Sequence, residues 1–510
     1  MCLIVRKFIF CAFFILCFNF VGLFQSCYAA TNLAFGKSYK ISAKPNYMLS
    51  APSRDQTSLT DGKYTFGHFW TDKRTVGWQA QKNIEILIDL EKVSDIGSII
   101  LNTVRGVGAG VYYPAHIYAF VGTDMKHFLY VGDIVSSDNT PGLYQTKKFT
   151  LDNVAAKGRY VLLEVVPKGY YFFCDEIEIT ESLFKNSYIG NLDIIKAREY
   201  AKQLLDIDLA KSLIIRLVDE LKSNVRGSAD FKDRLKAIEK MATTVSMLNN
   251  FKLIETNILR LRGDMLRTEF PGKSLIIEPI NAWQNLSPIN KTSIAAVENV
   301  SLIMPQGGYI HRAFLVTNLA GSPTTISIFI DNIPNDVSDI AIYQIPFVKS
   351  ASLITNASME YVADPLMPIN SGFTLQSGES RMVMISAFGR AYGKQHCMMK
   401  VISHGFVETI PLTIEVTATK LPRNFTIHTV NWGYLNVKSI GNRKTDLVKD
   451  LFDHHINVIV VPPGQIPLAD HLNTLDFGQL EAYLTIHKRA AKILLYMAYN
   501  WEQPAAYMQW

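Results

Sequence analysis

From Asn32 to Thr180 the apolar positions come in short runs, several of them alternating with polar ones: IEILIDL, SIILNTV, HIYAFVG, YVLLEVV and CDEIEIT. Alternation with a period of two marks strands with one buried face, and the Gly, Asp and Asn clusters between the runs mark turns. No helical pattern of useful length interrupts them, so residues 30–182 are expected to form an all-β sandwich. Residues 183–265 change period. Phe231, Leu235, Ile238, Val245 and Leu248 follow steps of three, four and seven, while Leu209, Leu213, Leu217 and Leu221 recur every four. Two or three amphipathic helices in a hairpin or small bundle are predicted, interrupted at Gly227-Ser228. They are read as a spacer, the alternative being a binding role.

Strand signals return over residues 270–421, in SLIIEPI, RAFLVTN, TTISIFI, RMVMISA, HCMMKVI and TIPLTIEVTA. A second β-sandwich follows from them. Beyond Leu421-Pro422, strand and helix patterns alternate: FTIHTVNW, TDLVKDLFDHH, INVIVVPP, FGQLEAYLTIHKRA and KILLYMAYN. Strands apolar throughout, separated by helices, predict a parallel sheet covered by helices over residues 422–510.

Residues 1–29 carry Arg6 and Lys7, an apolar run from Phe8 to Phe24, and small residues before Ala30. This is the pattern of a secretory signal peptide. Its run approaches the ~18 residues of a membrane span, which leaves an uncleaved anchor as the alternative. No later segment is long and apolar enough to span, so no membrane span is expected in the mature chain. The protein is expected to be secreted or held at the cell surface. Of six cysteines, Cys2, Cys11, Cys17 and Cys27 lie in this leader. Cys174 and Cys397 remain, which is neither a disulfide framework nor a zinc cluster. The formal net charge is +6, and loss of Arg6 and Lys7 lowers it by two. No basic tract stands out, which argues against nucleic acid as a partner.

The first sandwich resembles the discoidin, or coagulation-factor type C, family of galactose-binding-like domains. The ordered set NLAFGKSYK, SLTDG, VGWQ, IEILIDLEKVSDIGSIIL, YVLLEVV and DEIEI carries the resemblance. It implies a ligand site in the loops at one end of the sandwich, for a glycan or glycoconjugate, and a structural calcium. A sugar offers C–H faces bounded by hydroxyls, so its site combines an aromatic surface with fixed donors and acceptors. His68, Arg74, Arg105, Tyr112, Tyr170 and Tyr171 are residues of that kind in expected loops. Tyr170 and Tyr171 follow the turn signal Pro167-Lys168-Gly169. For His68 and Arg74 a plain surface role is the alternative. Trp70 and Trp78 are assigned to the core, the alternative being the loop rim. The resemblance places Ca²⁺ ligands in the turn from Asp55 to Asp61 and at Glu176, and Asp61-Gly62 also reads as a simple β-turn.

Residues 274–510 resemble, more loosely, sandwich-plus-barrel glycosidases related to glycoside hydrolase family one-hundred-and-twenty-three. The phrases RAFLVTNLAGSPTTISIFI, YVADPLMPI and ETIPLTIEVTATKLPRNFTIHTVNWGYL carry it. It implies that the α/β region begins a (β/α)8 barrel, with reactive groups at the C-terminal ends of strands: Asn431-Trp432, Pro462-Pro463 and Tyr499 to Glu502. In those enzymes the acidic pair comes from the fourth strand, which has no counterpart before Trp510. A complete barrel takes about 250 residues. The expectation is therefore a fragment without glycosidase activity, and no catalytic residue is assigned. The expected whole is an exported carbohydrate-active protein. Its rival is a non-catalytic adhesion or scaffold protein that binds a glycan or a protein.

Overall fold

A computed structural model of the chain describes residues 31–51, 55–135, 143–185, 190–224, 228–244, 248–292, 297–332, 336–351, 358–403, 405–422, 427–430, 444–454, 456–461, 477–487 and 492–495. The chain is multidomain and β-rich, its sheets mostly sandwich-like, and it divides into two compact units that part between Leu205 and Asp206. The leader expected at residues 1–29 lies outside the described residues.

The first unit holds eight strands: β1 (Tyr39–Ile41), β2 (Val76–Gln79), β3 (Ile84–Gly106), β4 (His116–Gly122), β5 (Phe128–Asp133), β6 (Tyr144–Leu151), β7 (Ala156–Val166) and β8 (Tyr171–Glu181). β3 is long because it serves both layers. Its first half pairs with β1 and β7, and its second half with β8 and β6. Between the halves the register with β7 slips from Asp89 to Ser94, and Glu91 adopts φ 65°. Ile84, Ile86, Ile88 and Leu90 face the core before the break and Ile96 still does after it, whereas Ile99 and Leu101 do so beyond a second slip, in register with β8 between Ile96 and Ser98. The inward parity therefore reverses at that second slip, where the strand passes from one layer of the sandwich to the other.

One layer is β1-β3-β7-β4-β5 and the other β2-β8-β3-β6, antiparallel throughout. Trp78 is fully buried between them, stacked on Phe172 at 5.5 Å with its Nε1–H donated to the Ala43 carbonyl. The core assignment of Trp78 is correct, and truncating a side chain so buried costs about 3–5 kcal/mol.

The β3-β7-β4 layer is apolar on its outer side as well, through Leu87, Tyr118, Phe120, Leu162 and Val166. Helix α1 (Ile194–Asn224) covers that face with Ala197 and Ala201. Small residues allow the helix to lie close to the sheet. Beside them Arg198 grips Glu85 with both nitrogens, one at 2.7 Å, and Glu164 accepts a hydrogen bond from Asn83 at 2.8 Å. Burial and then the neighbouring Glu85 push the Glu164 carboxyl above the usual carboxylate range.

The second unit contains the rest of α1, α2 (Ala229–Thr244) and α3 (Leu248–Glu269), closed around Leu213, Leu217, Leu221, Leu235, Ile238 and Ile258. These helices are fastened to the second sandwich. The guanidinium of Arg262, buried in α3, donates to the carbonyls of Pro288, Asn290 and Gly378. A Cβ at Gly378 would lie 2.1 Å from the Leu259 carbonyl, so only glycine permits this approach. The sandwich has two five-stranded sheets around a core that includes Leu302, Phe314, Ile385, Val401 and Ile414.

Past residue 422 the described residues include a parallel pair, Val458–Val461 with Lys492–Leu495, and a parallel bridge from Val430 to Val458. Helices Lys444–Asp453 and Gly478–Ile486 alternate with these strands. Parallel pairing with intervening helices agrees with the sequence pattern, but two short paired strands do not make a barrel. The expected strand ends at Asn431-Trp432, Pro462-Pro463 and Tyr499 to Glu502 lie outside the described residues. Among the described residues, no helix is long and apolar enough to cross a membrane.

A raised carboxyl pKa in the folded state means that folding binds a proton. The stability linked to Glu164 is fully present below the ordinary carboxylate range and is lost as pH rises through the higher native value. Glu164→Gln should match the parent at about pH 5 and exceed it in melting temperature by about pH 9. Parallel melting curves across that range, read by circular dichroism, would refute the assignment.

Candidate functional site

The segment between Gly62 and Thr75 lies over the outer side of the β2-β8-β3-β6 layer, and acids of β8 hold it there. The Gly62 N–H donates to Glu176 Oε2 at 3.0 Å and the Thr65 N–H to Asp175 Oδ2 at 2.7 Å. The Tyr64 hydroxyl donates to Glu178, and Lys148 donates to both Glu178 and the Tyr64 oxygen, at 2.9 and 2.6 Å. Thr65 and Thr75 close the base of the segment, hydroxyl to hydroxyl at 2.7 Å. Its one buried anchor beyond this base is Phe69, in the short 3-10 turn Phe69–Thr71, packed with Val104, Val111 and Phe173.

A row of rings stands on this anchor. His68 stacks on Trp70 at 4.9 Å and 17°, and Tyr144 meets both edge-on, at 4.8 Å and 5.5 Å. Trp70 leads to Phe173 at 6.3 Å, Phe173 to Tyr171 at 6.3 Å, and Tyr171 to Tyr170 at 4.9 Å. Tyr47 meets Tyr171 and Phe173 edge-on. Such edge-to-face and offset contacts fix ring orientations. Gly106 makes room for Trp70, since a Cβ there would lie 2.8 Å from the indole. Burial raises the Tyr47 and Tyr144 hydroxyl pKa values, so both stay neutral donors.

Three of the expected ligand residues, His68, Tyr170 and Tyr171, therefore belong to one row. Tyr112 lies next to its end, its ring 2.5 Å from where a Cβ on Gly169 would stand. Arg74 and Arg105 are engaged elsewhere. Arg74 is paired with Asp72 through Nε at 3.0 Å and Nη2 at 2.5 Å, and its guanidinium lies over Phe66. Arg105 lies over the Tyr113 ring and donates to Gln145 Oε1 at 3.1 Å. Neighbours on a strand point to opposite sides, and Gly106 holds the side under Trp70. Trp70, expected in the core with the loop rim as the alternative, is half-buried: it packs against the Phe69 cluster and joins the row. Tyr144, Tyr47 and Phe66 are not among the expected ligand residues. Tyr144 comes just after Pro141-Gly142, the same kind of signal that marked Tyr170.

The expected calcium ligands are held in different ways. Asp55 accepts hydrogen bonds from the Tyr39 hydroxyl and from Ser58, the latter through Oγ at 2.6 Å and through its backbone N–H. Asp61 accepts from the Lys63 N–H at 2.9 Å and pairs with its ammonium. Glu176 is buried, and its Oε1 has no hydrogen-bond partner. Burial, with Asp61, Glu178 and Asp175 nearby, pushes the Glu176 carboxyl up to about 8. Among the described residues, no group of three or more His, Cys, Asp or Glu side chains is placed to hold a metal ion.

No family model matches the chain, and no curated protein matches its sequence. Its neighbours among solved structures are carbohydrate-binding modules and glycoside hydrolases. One is a family 123 glycoside hydrolase from Clostridium perfringens, studied for glycolipid glycan hydrolysis: 9% identity, 42% of this chain and 45% of that chain, TM-score 0.30. The match thus spans less than half the length of that hydrolase. Another is the lectin domain of lectinolysin in complex with Lewis B antigen: 19% identity, 30% of this chain and 97% of that chain, TM-score 0.22. A third is a fucose-binding module of Streptococcus pneumoniae: 14% identity, 31% and 100% coverage, TM-score 0.22.

Glu176 sets its own pH signature. Its native value of about 8 lies above the ordinary 4.5, so metal-free protein should lose stability as pH rises between those two values. Glu176→Gln keeps the acceptor for Gly62 and removes the proton exchange. Its melting temperature in chelator should vary less over that window than the parent's; an unchanged slope would show that Glu176 does not titrate there.

Proposed function

We propose that the first unit binds glycans on the row of rings from His68 to Tyr170. The single observation that carries this reading is the row itself. Rings fixed by edge and stacking contacts remain open to solvent at His68, Tyr144 and Tyr170, beside hydroxyl and imidazole groups that can donate and accept. A sugar stacks its C–H face on such rings while its hydroxyls meet the polar edges. The chain is further proposed to be exported through its leader. The α/β region after residue 422 is proposed to be glycosidase-like, supported by its parallel pairing, with no catalytic residue assigned.

A structural calcium is proposed at Glu176, with Asp61 and backbone carbonyls as the other oxygen donors. The unsatisfied Oε1 of Glu176 fits such an ion, whereas the carboxylate of Asp55 is already occupied by Tyr39 and Ser58. Bound there, the ion would neutralise the acids that fasten the loop. Calcium at millimolar concentration should raise the melting temperature more at about pH 8 than at about pH 5, because binding requires the carboxylate. The Gln variant should show no such gain. An equal calcium shift in parent and variant would move the ion elsewhere.

The glycan reading is tested with the full chain on a glycan array, followed by calorimetry. Binding is expected in the micromolar to millimolar range. His68→Ala and Trp70→Ala should each weaken it about tenfold or more, equivalent to about 1.4 kcal/mol. Gly106→Ala, which displaces the indole, should weaken it while leaving His68 in place. Absence of binding to every glycan, with and without calcium, would remove the proposal.

A further inference from the structure

Phe66 is 81% exposed, and it is held in that position. The Arg74 guanidinium lies 5.1 Å from the ring centroid, against one side of the ring. Arg74 is itself clamped by the two-pronged pairing with Asp72, whose Oδ1 also accepts the Arg74 backbone N–H at 2.9 Å. An isolated exposed phenylalanine needs no explanation. A ring fastened from beneath by a cation, itself fixed by a carboxylate, is a presented surface.

Only Gly67 separates Phe66 from His68. It adopts φ +98°, a conformation that glycine tolerates and other residues rarely adopt, with no atom within 4 Å of a Cβ there. The carbonyl of Gly67 accepts the Tyr144 hydroxyl at 2.6 Å, so the turn is locked to the same tyrosine that meets His68 and Trp70. Residues two apart have Cα atoms at most ~7 Å from each other. A ligand seated on His68 and Trp70 thus has a second fixed ring within reach of one glycosidic linkage.

We propose that Phe66 is a second stacking surface, and that the site takes a glycan of at least two residues: one sugar at His68, Trp70 and Tyr144, the next on Phe66. This inference rests on the glycan-binding reading above and gives it a minimum ligand length. The Asp72–Arg74 pair positions the ring without touching the sugar on the first surface.

The test uses the full chain in calorimetry, against galactose, glucose, N-acetylglucosamine and fucose as single sugars. Each is paired with a longer probe: lactose, cellobiose, N,N′-diacetylchitobiose and 2′-fucosyllactose. For the series that binds, the longer probe should be favoured over the single sugar by about tenfold or more. Phe66→Ala should bring that ratio to about one, and Phe66→Trp should restore it. Asp72→Ala, which frees Arg74, should lower the ratio without removing the ring. Each variant's melting temperature is checked against the parent. A ratio that Phe66→Ala leaves intact, or equal affinity for single and longer sugars in the parent, overturns the second surface while the glycan site stands. Failure of every probe to bind overturns both.

Discussion

Gly62, Tyr64 and Thr65 hang on three acids of one strand: Glu176, Glu178 and Asp175. Carboxylates are costly to bury, and their place on β8 is tolerable because each accepts hydrogen bonds from the segment above. The dependence runs both ways. Backbone N–H groups of the loop have these acceptors as partners, so loss of an acid leaves an amide unsatisfied as well as a ring displaced. Burial raises Asp175, and it raises Glu176 to about 8 against the Gly62 hydrogen bond, which favours the carboxylate, so folding is most favoured while Glu176 carries a proton. The aromatic row depends on this fastening, because His68 and Trp70 ride on the fastened segment.

The two outer faces of the first sandwich show what becomes of apolar surface when a sheet has too much of it. On the β3-β7-β4 side, Leu87, Phe120 and Leu162 are covered by α1. On the other side, Val104 and Phe173 meet the loop residue Phe69 together with Val111 and the rings of Tyr47, Trp70 and Tyr171. A helix can bring regular small residues to a flat sheet; a loop covers it unevenly and leaves ring faces toward water. Apolar burial of about 25 cal/mol per Å² draws both covers down. The incomplete one leaves ring surface in contact with water at Tyr144 and Tyr170.

Much of this architecture is legible in the sequence, because it depends on period and turn chemistry. The alternation in IEILIDL correctly marks Ile84, Ile86 and Ile88 as inward, and Pro167-Lys168-Gly169 marks the turn that presents Tyr170. The parity change after Ile96 is not legible. It arises from a slip in register with β8 between Ile96 and Ser98, a long-range pairing event. The half-buried position of Trp70 is only partly legible, for a similar reason. Hydrophobicity alone sends an indole to the core, and only the absence of a side chain at Gly106, remote in sequence, explains why it lies on the outer face. Arg105 shows the converse: its type suits a sugar site, but strand parity turns it toward Tyr113.

Two buried ionisable side chains in this chain are satisfied to different degrees. Arg262 lies wholly inside the second unit, and the carbonyls of Pro288, Asn290 and Gly378 accept from it. Burial lowers its pKa to about 10, still far above neutrality, so it remains a cation whose donors have partners. Its role is to join α3 to the sandwich. Glu176 has one oxygen satisfied by Gly62 and one with no partner, and burial, followed by the acids around it, raises its pKa. A group desolvated on both oxygens and bonded on one is poorly explained by packing alone, since an apolar residue or a glutamine would fill the space at less cost. The unsatisfied oxygen stands under the same loop that carries the rings.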